Sequence, residues 1–475
     1  MNLPISTIKA LELACVHYTS YPLVEADGVA PCTTPPAEQR VILIMLADSI
    51  GKLQCLITQD RFLEITKLCE SLGRNLKALP KSNTLTISSS FGLADSFGVP
   101  NITNYPTIID EHLFATDTLY FESGKSQLLI KVDGKKNIQT LFQNMQRLDV
   151  TQPIASHTPK LPLVASAATS STTHTATDEA KIIRAVESFT SLRIKQRLES
   201  TLEIPPLPDT GRKIIQLRVN PDAGVLELAA VVETDPSLAA QVVSWAGSPY
   251  YAAPGKVNSV QDAVMRVLGF DLVINLALGL SLGKTLEIPK DSPIGITPFW
   301  KKAVYCAAAA ELIAKKIPTE LAPEPGLAYL SGLLHNFGYL ILGHVFPPHL
   351  SLINRLVEVN PHTPVAALEQ FTIGICRNQI AAWLLNTWNM PEEVISAVRW
   401  QAHPEFSGEL SAYPNIIFLA SQIVDNHHHS KPMMHNIPQS VLDRFELSQV
   451  TIEEVTQKIW NNIEHLDAMA KNLAK

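Results

Sequence analysis

His335 and Asn336 stand side by side in the stretch Leu333-Leu334-His335-Asn336-Phe337-Gly338-Tyr339-Leu340. Residues 327–342 have the apolar density of a buried helix. A polar pair inside such a run is costly unless it is hydrogen-bonded or has a task. An imidazole nitrogen is a metal ligand, and a carboxylate beside it would supply anionic oxygen. Asn336 beside it is a neutral amide, and the pair reads as the relic of a metal site in a domain that works by binding. The plainer reading is a core histidine hydrogen-bonded through both ring nitrogens, to Asn336 or to a carbonyl.

Other chemistry-bearing residues are more scattered. His427-His428-His429 has the look of a metal tag and is expected in a solvated loop. Trp383, Trp388 and Trp400 fall near helical spacing and are expected in a core. The six cysteines include no Cys-x-x-Cys pair, which fits reduced thiols and a cytoplasmic setting rather than a disulfide framework.

The elements that position these groups divide the chain in two. Its 475 residues, 46% hydrophobic and 17% charged, are enough for two or three domains with sizeable cores. The 38 basic and 45 acidic residues leave a net charge of -7, which disfavours a generic phosphate-coating nucleic-acid binder. Met1-Asn2-Leu3-Pro4 lacks a basic stretch leading into an apolar one, so no signal peptide is expected. No apolar run reaches membrane-spanning length, and no membrane partner is expected.

Residues 1–149 read as a mixed α/β domain. The apolar, β-branched run 40–46 predicts a buried strand, 53–58 a second, and 63–72 an amphipathic helix stopped by Gly73. Short strands are predicted at 84–87, 107–109, 118–121 and 128–132. Residues 150–177, rich in Ser, Thr, Ala and Pro, read as a flexible tether. From 178 to 475 the pattern is helical, with Asp178 as an N-cap, and predicts an all-α bundle. Single helices are predicted at 326–342 and 452–472.

Tyr105-Pro106-Thr107-Ile108-Ile109-Asp110-Glu111-His112-Leu113, followed by Leu119-Tyr120-Phe121-Glu122-Ser123-Gly124, resembles the YbaK/prolyl-tRNA deacylase family of editing domains. The resemblance implies a pocket near Arg40, Ser96, Gly98, Pro100 and Asp110. Arg40 stands where that family has a lysine, and Ser96 where its Gly-x-x-x-Pro loop begins with glycine. Guanidinium and ammonium are not interchangeable at a tight site. Arg40 also reads simply as a solvated charge at a strand edge. Loss of the editing activity is expected; its retention, or retained recognition of an amino acid or tRNA end, stays open.

Pro205-Pro206-Leu207-Pro208, Glu233-Thr234-Asp235-Pro236-Ser237-Leu238, Gly247-Ser248-Pro249-Tyr250-Tyr251 and Trp388-Asn389-Met390-Pro391 resemble, in order, landmarks of HDOD domains. These are a branch of the HD phosphohydrolase superfamily, whose enzymes hold divalent metals with His and Asp from separate helices. The resemblance places the ligand positions on Lys302, His335, Asn336, Arg377, His403 and Ser421 or its neighbours. Most are not ligands, so neither metal nor other cofactor is expected. The resemblance implies a bacterial, cytoplasmic signal-transduction protein without catalysis. Its degenerate site would bind a protein partner or an anionic ligand such as a nucleotide. Metal-dependent phosphohydrolysis stays open beside it.

Overall fold

A central strand explains the densest apolar run. The computed structural model describes residues 3–23, 33–159, 178, 180–182, 206–220, 222–252, 254–283, 296–318, 323–345, 347–408, 410–428, 434 and 436–473. Two units emerge: Met1–Pro159 with Ser351–Thr372, and Lys160–Leu350 with Ile373–Lys475.

The first unit contains α1 (Ile5–Leu13), β1 (Thr19–Pro22), β2 (Arg40–Ala47), β3 (Lys52–Thr58), β4 (Arg61–Leu63), α2 (Ile65–Leu72), β5 (Lys77–Ala78) and α3 (Lys81–Ser90). These are followed by β6 (Thr107–Asp110), β7 (Thr118–Glu122), β8 (Leu128–Asp133), α4 (Lys135–Leu141), β9 (Gln146–Leu148), β10 (Thr151–Pro153) and α5 (Ile154–His157). The main sheet runs β1-β8-β7-β2-β3-β6-β9, with β5 added on β2, and β10 pairs separately with β4. β2 lies between parallel β7 and antiparallel β3. Apolar clusters include residues from both of its faces, which is why its sequence is continuously apolar rather than alternating. At its turn into β3, Asp48 accepts from the N–H groups of Ile50 and Gly51. Gly73 takes φ 62° and closes α2 in the left-handed conformation.

Two expectations fail here. The strand predicted at 84–87 is the middle of α3. Its hydroxyls bond back one turn, Thr86 to the Ser82 carbonyl and Ser88 to that of Thr84, so β-prone residues are satisfied within a helix. The tether predicted from residue 150 also starts too early. Val150 is fully buried and donates its N–H to Asp110, and Thr151–Pro153 pairs with β4. The rest of that predicted tether, 160–177, lies outside the described residues.

The second unit contains α6 (Asp209–Arg218), α7 (Val225–Glu233), α8 (Pro236–Ala246), a 3-10 turn (Pro249–Tyr251), α9 (Val260–Ala263), α10 (Phe270–Gly283), α11 (Ile296–Ala314), α12 (Pro325–Leu334) and α13 (Phe337–Val345). The chain then runs through α14 (Pro347–Val359) and α15 (Val365–Ile373), most of which fall in the first unit, before the second unit resumes with α16 (Arg377–Thr387), α17 (Glu392–Trp400), α18 (Ala412–His428), α19 (Gln439–Arg444), α20 (Gln449–Asn461) and α21 (Ile463–Leu473). α11 is the axis, packed against α12, α18, α20 and α21. No described helix is long and apolar enough to cross a membrane.

Both long helices predicted here are broken. One breaks at His335-Asn336, between α12 and α13. The other breaks at Asn462, whose side chain donates to the Lys458 carbonyl. The helix predicted after Asp178 lies mostly outside the described residues. Asp178 itself is buried and bonds the Arg399 guanidinium at 2.6 Å and the Gln379 amide at 2.6 Å. His427 and His428 extend α18 rather than forming a loop, and the His427 ring stacks on Trp460. Trp388 and Trp400 are buried as expected.

Most of α14 and α15, within Ser351–Thr372, belongs to the first unit. Leu356, Val359 and Leu368 share a core with Phe62, Leu63, Leu68 and Val150. Asn360, fully buried, accepts from the Leu63 N–H at 2.7 Å and donates to the Leu63 carbonyl at 2.9 Å. Its side chain thus pairs with β4 as a neighbouring strand would. His362 Nε2 donates to the Arg61 carbonyl at 2.8 Å.

Candidate functional site

Glycine brings His335 to its neighbours. A Cβ on Gly332 would stand 2.6 Å from Ala307 Cα and 2.8 Å from the Cys306 carbonyl, so α12 crosses α11 with backbones nearly touching. One turn later His335, 2% exposed, ends α12 in helical geometry. Its Nδ1 lies 2.6 Å from the Gly332 carbonyl. A carbonyl only accepts, so Nδ1 carries the proton and neutral His335 keeps a lone pair on Nε2. Burial, aided by the Lys302 charge, pushes its pKa down to about 4. Among the described residues Nε2 is buried without a hydrogen-bond partner. The expected histidine satisfied at both nitrogens is therefore corrected: one nitrogen is satisfied. The His335 carbonyl accepts from Gln401 Nε2 at 2.7 Å.

Lys302, on α11, donates to both oxygens of Asp425 on α18, at 2.8 and 3.0 Å. Both side chains are about one-third exposed, so this pair lies at the rim of the buried histidine. Ser421, one helical turn before Asp425, meets Cys306 at 3.6 Å between hydroxyl and thiol. Burial pushes the Cys306 thiol up to about 12, so it stays protonated and inert. The carboxylate of this site is Asp425 rather than Ser421. The spacing i, i+4 on a helix was the readable signal, since it puts both residues on one face.

The structure joins Lys302, His335 and Ser421, and gives the other two candidates partners of their own. Arg377 opens α16, with its guanidinium 5.3 Å from the Tyr339 ring centroid. A Cβ on Gly338 would collide with the Arg377 carbonyl, so α13 and α16 meet at their first turns. His403 Nδ1 faces Glu405 at 3.4 Å and its ring packs edgewise on Trp400. Burial lowers its pKa. The charges acting on His335 are those of Lys302 and Asp425. Asn336 caps α13 by accepting the Tyr339 N–H at 2.9 Å through its backbone.

In the first unit, Arg40 opens β2, and Ser96 to Gly98 run along the end of β7. The Gly98 N–H donates to the Glu122 carbonyl at 2.8 Å, and a Cβ on Gly98 would stand 3.1 Å from the Glu122 nitrogen. Pro100 is buried and Ser96 exposed. Burial raises the Glu122 pKa, Arg40 opposes the shift, and Asp95 reinforces it. Asp110 does not join this group. It ends β6, with β3 between that strand and β2. Fully buried, it accepts from the Val150 and His112 N–H groups, both at 3.2 Å. Its carboxylate holds a turn, which corrects its place in the expected pocket. His112 and Asp149 gather beside it, and Lys67 pairs with Asp149 at 3.0 Å.

Residues 204–404 match the HDOD domain. Over the full length of both chains the protein is 35% identical to a Marinobacter aquaeolei VT8 protein named for signal transduction, with a TM-score of 0.84. The chain belongs to the HDOD-domain family. An uncharacterised protein of Treponema pallidum (strain Nichols) is 23% identical over 264 residues, 55% of this chain and 50% of that relative. A structure assigned as a trans-editing enzyme for prolyl tRNA synthetase aligns over 32% of this chain and 99% of its own, at 18% identity and a TM-score of 0.24.

Proposed function

We propose that this protein is a non-catalytic signalling module whose HDOD bundle binds a protein partner or an anionic ligand at its degenerate site. One observation carries the reading: the Lys302 ammonium rests on the Asp425 carboxylate beside the His335 lone pair. A carboxylate and an imidazole nitrogen are what a divalent ion would seek. Here a fixed lysine provides the positive charge instead, and it repels a second cation. Phosphohydrolysis would require Asp425 to exchange that lysine for a metal. Similarity to a protein named for signal transduction supports the regulatory role. The test is the metal content of tag-free protein, wild type against His335→Ala, by mass spectrometry. Trace metal in both agrees with the proposal. Stoichiometric Mn, Fe, Mg or Zn that disappears in the variant refutes it.

A second reading has its own observation. Arg40 and Asp95 act on a Glu122 carboxyl of raised pKa next to the Gly98 backbone. A YbaK-like editing pocket there would release amino acid from a mischarged tRNA. Hydrolysis of aminoacyl-tRNA that vanishes in Arg40→Ala would establish it, and no hydrolysis by wild-type protein would dismiss it.

A further inference from the structure

The Asp178 carboxylate is gripped by side chains 201 and 221 residues further along the chain. Its Oδ2 accepts from Arg399 Nε at 2.6 Å. Its Oδ1 accepts from Arg399 Nη2 at 3.2 Å and from Gln379 Nε2 at 2.6 Å. Three N–H donors on two oxygens suit a planar carboxylate.

The helical bundle holds this cradle by itself. Gln379, in the first turn of α16, is buried, and its Oε1 accepts from the Cys376 N–H and thiol, both at 3.1 Å. That turns the amide NH2 toward Asp178. Arg399, in the last turn of α17, lies with its guanidinium 4.2 Å from the centroid of the buried Trp400 ring. Neither support involves Asp178. The receptor is therefore preformed, and its carboxylate arrives from outside α16 and α17. An emptied cradle would leave the mostly buried guanidinium without a counter-charge, which is costly, so a replacement must bring an anion.

The segment that delivers Asp178 has a pattern. Asp178 and residues 180–182 are helical. Ile182, four residues after Asp178, is 5% exposed, whereas Ala180 and Lys181 face solvent. The i, i+4 spacing puts the carboxylate and the isoleucine on one helical face, and that face is the buried one. Residues 165–177 contain no large apolar side chain, so no apolar anchor just upstream adds to this hold.

We propose that Arg399 and Gln379 form a receptor for an acidic helical motif, a carboxylate followed four residues later by an aliphatic side chain. Asp178 and Ile182 fill it in cis, and a helix of the same pattern from a partner protein takes their place. The site uses none of Lys302, His335 or Asp425, so it stands apart from the degenerate pocket. Exchange would free the chain at Asp178 while leaving the cradle charged and filled.

The experiment is fluorescence anisotropy of a labelled synthetic peptide of residues 172–186 on the full chain, wild type against Asp178→Ala. Saturable binding to the variant is expected. Wild type should also saturate, at least about tenfold more weakly, because its own carboxylate competes. On the variant, peptides carrying Asp178→Asn or Ile182→Ser should bind about tenfold more weakly than the unaltered peptide. No binding to Asp178→Ala, or equal affinity of the Asp and Asn peptides, would overturn the receptor. A wild-type chain that never binds the peptide would overturn the exchange. If Asp178→Ala does not fold, Asp178→Asn, nearly identical in shape, serves for the same comparisons.

Discussion

Lys302 Nζ meets both carboxylate oxygens of Asp425, at 2.8 and 3.0 Å, across the interface between α11 and α18. Each partner is part-exposed, so the pair adds little to stability. Its weight is chemical: it occupies the oxygens that a metal would otherwise claim.

Lys302→Ala should therefore gain divalent-metal affinity. Removing one repulsive charge and freeing Asp425 is worth on the order of 1.4 kcal/mol, about tenfold in binding. Lys302→His, which adds an imidazole, should bind more tightly still. Calorimetry with Mn and Zn on tag-free protein measures both; variants indistinguishable from wild type would refute the link between lysine and metal.

His335 makes stability depend on pH. Its pKa, about 4 in the fold, lies below the roughly 6.5 of an unfolded histidine. The unfolded chain therefore takes up the proton first. Stability from this residue is present above about pH 6.5 and falls as pH drops toward 4. Between pH 7 and 5 wild type should lose about 2 kcal/mol more than His335→Gln, which cannot titrate there. Urea unfolding at the two pH values gives the difference. Equal losses in the two proteins would mean that His335 is not held neutral.

Asn360 is expected to be the most expensive polar side chain to remove from the first unit. Its truncation to alanine strands the N–H and carbonyl of Leu63 in a core, at about 3 kcal/mol. The loss should show in the unfolding of residues 1–159, followed by hydrogen exchange at β4. Protection unchanged at Leu63 would contradict the pairing.

Gly332→Ala should destabilise the helical unit by about 1–3 kcal/mol, because α11 backbone atoms already fill the space of a Cβ. Thermal unfolding measures the cost, and the His335 environment, read from its imidazole NMR resonances, should shift with it. A variant as stable as wild type would show that the crossing is looser than the geometry indicates.

The readable parts of this chain were those with strong local patterns. The run from Arg40 to Leu46 announced β2, and the landmarks from Pro205 to Pro391 announced the helical family. What misled was context. Thr84-Leu85-Thr86-Ile87 has strand composition, but its hydroxyls find carbonyls one turn back and make a helix. Asp110 carries the chemistry of a site yet is consumed by two backbone N–H groups. At the candidate site His335, Lys302 and Ser421 were legible, while Asp425 was passed over for a residue four positions earlier on the same helical face. The place of α14 and α15 in the first unit has no local signature, because Asn360 reaches Leu63 across 297 residues of sequence.

That long reach has a consequence during synthesis. Pro159 leaves the ribosome roughly 200 residues before Thr372 does. At about 5–20 residues per second, the sheet waits on the order of 10–40 seconds for its last two helices. Through that interval the apolar side chains of Phe62, Leu63 and Leu68 lack their covering from Leu356, Val359 and Leu368. The sheet of the first unit is therefore completed only after most of the residues between Pro159 and Thr372 have been made.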